Sequence, residues 1–218
     1  MTESKAWDWE KGVESYWLQP SEESYYLAEK WKQNGFHKIL DLGSGLGRHA
    51  IYFAKQGFDV SALDLSDYGI THLNKWAAKE SCNIQTTICD IKNLPYQDAS
   101  FDCIFSYHVI SHTDSVGIIT IITEIERVLK PGGQLFLTLC SKETWAYKDA
   151  NSPKIDENTV VKTNDGPEKD VPHFYVNMDD ILHLFKHFNI EKVRHIDDCF
   201  FDNQVQNSKH FFIYANLK

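Results

Sequence analysis

The stretch ILDLGSGLGRHA, residues Ile39–Ala50, decides the fold class. A short apolar run leads into Asp41, a turn with Gly43, Gly45 and Gly47 follows, and a helix-type run begins at Leu46. Glycines in such a turn let the chain bend tightly and let another molecule approach without a Cβ in the way. The helix that starts there offers N–H groups with no partner in the helix. Outward from this stretch, short β-type runs alternate with helix-type runs. Lys38–Leu42, Phe58–Asp64, Ile84–Cys89, Phe101–Ser106 and Gln134–Cys140 are rich in Ile, Leu, Val and Phe, as strands covered on both faces are. Leu46–Gln56, Asp67–Glu80 and Val116–Leu129 lie between them as helices. In the last, Ile118, Ile121, Ile122, Ile125, Val128 and Leu129 make one apolar stripe. Pro131-Gly132-Gly133 then stops the helix and turns the chain. This alternation implies right-handed crossovers and a parallel, doubly wound α/β sheet.

The flanks complete one domain of 218 residues. Residues 1–37 read as a helical cap, with Ser21 as N-cap, Glu22 and Glu23 in the first turn and Asn34-Gly35 at the end. Residues 38–140 are the core. Residues 141–178, polar and carrying Pro153, Pro167 and Pro172, read as an insertion or lid. In residues 179–218, Asp179–Phe188 reads as a helix, and Asn189–Ile196 and Lys209–Asn216 as an antiparallel hairpin. Lys and Arg number 22 against 31 Asp and Glu, a net charge of −9, which disfavours nucleic acid as a partner. The apolar runs are far shorter than the ~20 residues of a membrane helix, so no membrane association is expected. The first residues are polar and acidic, without the pattern of a signal peptide. The five cysteines are odd in number and widely spaced, which reads as reduced thiols and a cytoplasmic location.

Spacing narrows the ligand. A dinucleotide fingerprint would place glycine where Arg48 stands; the pattern here is D-x-G-x-G-x-G. An acidic Asp41 before the loop suits a cationic or amine-bearing ligand better than a pyrophosphate. Asp64, at the end of the second strand, can accept both hydroxyls of an adenosine ribose. It can also cap the next helix, a job open to Ser66 or Asp67. Asp90 can bind an adenine amino group while Ile91 packs on the ring, or it can cap a turn.

These residues, followed by FDCIFSYHVISH and RVLKPGGQLFLTL, resemble the class I S-adenosylmethionine-dependent methyltransferases over Lys38–Leu139. GLGRHAIYFAKQGFDVSALDLS is similar to the tellurite-resistance type and its small-molecule relatives. The resemblance implies a Rossmann-like, seven-stranded sheet whose last strand is antiparallel, and S-adenosyl-L-methionine as cofactor. It implies that Gly43, Ser44, Gly45 and Gly47 approach the methionine and ribose, that Arg48 lies near the methionine carboxylate, and that Asp64 with Leu65 holds the ribose. Asp90 and Ile91 would hold the adenine, and Ser106 would sit beside the methionine. Asp41 and Tyr16 complete the expected cofactor set.

A sulfonium methyl is already activated, so a base is needed only for a protonated acceptor. Tyr107, His108 and His112 follow the fourth strand, and His173 and Tyr175 lie in the lid; Tyr107, His108 and His173 are the catalytic candidates. His108 and His112 would share a face if that segment were helical, but no third ligand is placed, so no metal is expected. An N-P-P-[FY] motif for base or glutamine amino groups is absent, as is a paired-cysteine motif for RNA carbon-five methylation. The expected partner is a small-molecule acceptor, bound between the aromatic-rich cap and the lid. Methylation of protein or RNA, a non-catalytic cofactor-binding module, and a nicotinamide-dependent oxidoreductase are the alternatives.

Overall fold

The structure is a computed structural model and describes residues 2–9, 15–163, 168–201 and 205–218. Pro167, one of the three lid prolines, and the side chain of Cys199 lie outside the described residues. Five parallel strands form the centre: β1 (Lys38–Leu42), β2 (Asp59–Asp64), β3 (Ile84–Ile88), β4 (Phe101–Ser106) and β5 (Leu129–Ser141). Their spatial order is β3-β2-β1-β4-β5. On the far side, β10 (Val205–Leu217) runs antiparallel to both β5 and β9 (Phe188–Phe201). This is the Rossmann-like sheet expected from the sequence, with its closing antiparallel strand.

Both faces of β1, β2, β4 and β5 are covered, which is why those strands are mostly apolar, whereas the edge strand β3 (IQTTI) is more polar and more exposed. On one face Leu27 and Trp31 of α1 (Glu22–Gln33), Phe53 of α2 (Arg48–Lys55) and Leu73 of α3 (Asp67–Lys79) pack with Ile39, Val60, Phe105 and Phe136. On the other, Ile118, Ile121, Ile122 and Ile125 of α4 (Ser115–Val128) and Ile181 of α6 (Met178–Leu184) pack with Leu40, Leu42, Ile104 and Leu137. Neighbouring residues of β1 thus serve opposite cores, the period-two signature of a strand. Chain crossovers reverse direction at β1, which lies between β2 and β4. A crevice opens above the carboxyl ends of those strands, the usual ligand site of open α/β sheets.

Three local expectations are corrected. Pro131-Gly132-Gly133 ends α4 but lies inside β5. It forms an irregularity where Phe101 pairs Leu129 and Cys103 pairs Gln134. Residues 2–8 have no regular structure, so the helical part of the cap is a 3-10 turn at Ser15–Leu18 and α1. Ser21 occupies the N-cap in extended backbone without a side-chain capping bond.

The lid is also more ordered than its composition suggests. After α5 (Trp145–Lys148) come β6 (Lys154–Asp156), β7 (Thr159–Val161) and β8 (Pro172–Val176), an antiparallel meander. Every residue of β8 is buried, and β8 joins the end of β5 in parallel through Cys140–Tyr175 and Ser141–Val176. The P-H-F-Y run is therefore an internal strand. Among the described residues no helix is long and apolar enough to cross a membrane.

Candidate functional site

The loop after β1 is shaped by three left-handed glycines, with φ of 77° at Gly43, 53° at Gly45 and 96° at Gly47. A Cβ on Gly43 would lie 2.3 Å from Val109 Cγ1, and one on Gly45 would lie 2.8 Å from Trp9 Cζ2. The loop is tied to β2 from both sides. Gly43 and Ser44 donate their N–H groups to the Leu63 carbonyl, each at 2.9 Å. Gly45 N–H donates to Asp64 Oδ2 and Ser66 N–H to Asp64 Oδ1, each at 2.8 Å. Burial raises the Asp64 pKa, and these backbone bonds oppose the shift. Each Asp64 oxygen keeps a lone pair for a further donor. Ser66 itself caps α3 by accepting from Gly69 N–H at 3.1 Å, so Asp64 is free of that job.

The loop floors a crevice lined by Gly43, Ser44, Gly45, Arg48, Asp64 and Leu65, with Asp90 and Ile91 at its far end. Tyr107, His108 and His112 wall it from the β4 side. Its roof is the N-terminal segment. Trp7, Trp9 and Trp17 form a triangle with ring centroids 5.6–5.7 Å apart, and Trp7 stacks on His112 at 5.8 Å. The Arg48 guanidinium lies 5.2 Å from the Trp17 ring and 5.4 Å from Tyr107. Its Nη1 donates to the carbonyls of Tyr16 and Gln19 at 3.1 Å, which ties the cap to the first turn of α2.

Unsatisfied polar atoms gather here. Trp7 Nε1, Trp9 Nε1, Ser44 Oγ and Thr113 Oγ1 around the crevice, and Asp41 Oδ2 behind it, are buried without a hydrogen-bond partner. Such atoms are rare in a folded interior and call for a ligand. Burial raises the Asp41 pKa to about 7; a bond from Ala50 N–H opposes that, and nearby Asp64 adds to it. Burial also lowers the pKa of Arg48, with Tyr107 and Asp41 acting against that change. The walls carry neutral imidazoles: burial holds His108 well below its usual range and His112 at about 3. Tyr107 is pushed up, foremost by burial.

The structure brings together most of the residues singled out in the sequence, but not all. Asp41 is buried in β1 behind the crevice and does not line it. Gly47 also lies off it, at the N-cap of α2 against Leu73, where a Cβ would come within 2.3 Å of Leu73 Cδ1. Ser106 is fully buried and donates its hydroxyl to the Leu42 carbonyl at 2.8 Å, so it braces β1 to β4. The Tyr16 ring is 52% exposed and contributes its carbonyl to Arg48. Asp90 caps its turn, accepting from Lys92 N–H at 3.0 Å, and also lines the crevice.

Among the catalytic candidates, Tyr107 and His108 line the crevice, whereas His173 stands behind His112 with ring centroids 4.7 Å apart. The 107–114 segment is not helical, so His108 and His112 share no helix face. His108 has φ of 58°, its N–H donates to Thr138 Oγ1 at 2.8 Å, and its ring lies 4.3 Å from His210. Trp7, Trp9 and Val109 were not ranked as site residues. The tryptophans belonged to a visible aromatic cluster, but nothing in their spacing says which of its members turn inward.

Residues 39–133 match a family model described as a methyltransferase domain. A probable S-adenosyl-L-methionine-dependent methyltransferase TehB of Haemophilus influenzae is 33% identical over 121 residues, covering 50% of this chain and 42% of the relative. A sterol 24-C-methyltransferase of Gibberella zeae is 32% identical over 112 residues, covering 50% of this chain and 29% of the relative. The chain thus spans less than half the length of these curated relatives. The crystal structure of PH0226 from Pyrococcus horikoshii superposes with a TM-score of 0.68 at 20% identity, covering 95% of this chain and 100% of that one. With glycines that leave no room for side chains, a carboxylate at the end of β2 and unpaired polar atoms around the crevice, the residues fit S-adenosylmethionine, and residues 39–133 are similar to the methyltransferase-domain family.

Proposed function

We propose that this chain methylates a small molecule held between the tryptophan cap and the wall of Tyr107, His108 and His112. The observation that carries this reading is the roof: Trp7, Trp9 and Trp17 lie over the glycine loop and against His112, which closes the crevice to a bulky macromolecule. The net charge of −9 supports it by opposing phosphate-rich partners. S-adenosylmethionine, when bound, supplies a methyl on an electrophilic sulfonium.

The chain's residues do the rest. Asp64 and Asp90 accept from ribose and adenine donors, Ile91 packs on the base, and Arg48 offers a cation to the methionine carboxylate. The cap excludes water and holds an acceptor in line. His108, neutral and on the wall, accepts a hydrogen bond from an O–H or N–H acceptor at one ring nitrogen and so turns the acceptor's lone pair toward the methyl. Its left-handed backbone is a strained conformation of the kind that collects at functional sites.

The test is methyl transfer from labelled cofactor to a panel of small acids, amines, thiols and phenols, with tRNA and peptide arms alongside. Turnover on a small molecule that drops about a hundredfold in His108→Gln, with S-adenosylhomocysteine affinity kept, bears out the reading. Faster turnover on tRNA or peptide refutes it.

A further inference from the structure

Beneath the wall of the crevice, β8 and the 107–114 segment bring two imidazoles and a carboxylate to one point. The ligating atoms of His112, Glu168 and His173 all lie within 4.8 Å of one another. His173 is 99% buried, and its Nδ1 lies 2.9 Å from the Val171 carbonyl. A carbonyl only accepts, so Nδ1 carries the hydrogen, and on a neutral ring Nε2 is then a bare lone pair. That Nε2 makes no hydrogen bond and stands 3.4 Å from Glu168 Oε1. His112 Nε2 is 3.9 Å from the same oxygen. The His173 lone pair thus faces a half-buried carboxylate oxygen with no proton between them, an arrangement that a cation would relieve. The other carboxylate oxygen, Oε2, is taken by Lys162, which leaves Oε1 to the imidazoles.

We propose that His112, Glu168 and His173 bind a divalent first-row transition ion of the zinc type. Two imidazoles and one carboxylate suit such an ion and not magnesium or calcium, which take oxygen ligands. The Val171 bond is the outer support that metal-bound histidines have: it fixes the tautomer and turns the free nitrogen inward. The third ligand hid from the sequence because Glu168 sits in the lid, far from His112 along the chain. Three protein ligands leave at least one position open, and His112 is also part of the crevice wall. The ion would tie β8 and the lid to that wall. The inference concerns metal binding alone and does not depend on which acceptor is methylated.

The test is titration of chelator-treated full-length protein with Co2+, read as visible d–d absorption, followed by displacement with Zn2+. Expected is an equimolar, zinc-displaceable site. Glu168→Gln and His173→Ala should each weaken it by about a hundredfold or more while S-adenosylhomocysteine still binds. Nitrogen NMR of isotope-labelled histidines in the unmodified protein needs no variant: two Nε2 signals should shift on adding Zn2+. No cobalt bands from protein that binds S-adenosylhomocysteine, bands unchanged in both variants, or no histidine shift would overturn the proposal.

Discussion

Asp64 shows how one side chain can organise a loop and still serve a ligand. Its two oxygens accept Gly45 N–H and Ser66 N–H, so it fixes the glycine turn to the end of β2. The same carboxylate lines the crevice, where a ribose diol would donate to its remaining lone pairs. Asp64→Ala should lower S-adenosylhomocysteine affinity by tenfold to a hundredfold, about 1.5–3 kcal/mol for a hydrogen bond to a charged group. It should also lower thermal stability, because two backbone donors lose their acceptor. Asp64→Asn separates the effects: its one carbonyl oxygen keeps part of the loop support but lacks the charge. Calorimetry that found the Asp64→Ala dissociation constant unchanged would remove Asp64 from the site.

At the scale of elements, the N-terminal segment is the part that must respond to ligand. Trp9 packs so near Gly45 that a Cβ there would be 2.8 Å from its ring. The glycine loop is where the cofactor has to approach, so Trp9 and the cofactor compete for one space or stack within it. Binding of S-adenosylhomocysteine should therefore shift tryptophan emission, and Trp9→Phe should abolish most of that shift while Trp31→Phe, at a core position, leaves it. An unchanged response in Trp9→Phe would mean that Trp9 does not meet the ligand and that Trp7 or Trp17 carries the signal.

The same segment marks where sequence reading reaches its limit. The strands and helices of the core were legible because each repeats its apolar period and ends at a chemically distinct residue, such as Asp64 or Asp90. The cofactor loop was legible because only glycine tolerates its positive φ and close contacts. Residues 2–8 have no period to read, and Trp7 and Trp9 are placed by tertiary packing alone. Pro172–Val176 reads as loop for a related reason. A proline and a histidine at its start look like loop chemistry, yet the strand is a short one completed by the end of β5. Ser106 and Gly47 were expected at the ligand, but their roles are to brace β1 against β4 and to make room for Leu73.

At the scale of the whole molecule, five imidazoles are buried or half-buried: His49, His108, His112, His173 and His210. Burial lowers the pKa of His49, His108, His112, His173 and His210, the third to about 3 and the last to about 4. The bonds agree with neutral rings: His49 Nε2 accepts from Ser21 N–H at 3.1 Å, which a protonated ring cannot do. In the unfolded chain these histidines titrate near pH 6.5. Below that value the unfolded state gains protons that the folded state refuses, so stability is full above about pH 6.5 and falls with pH. Asp41 and Asp64 act in the opposite sense. Their folded pKa values are raised, to about 7 for Asp41, so the folded state holds protons that the unfolded state has lost above about pH 4. The lowered histidines outnumber the raised carboxyls, so unfolding near pH 5 takes up protons and stability falls with pH. Metal-free protein in chelator should therefore hold its melting temperature from pH 8 to about 6.5, then lose it steeply and unfold near pH 5 by circular dichroism. Asp41→Asn, which cannot ionise, should steepen the acid loss by about one proton. A melting temperature that stays level between pH 7 and pH 5 would mean that the buried histidines take up protons without unfolding the chain.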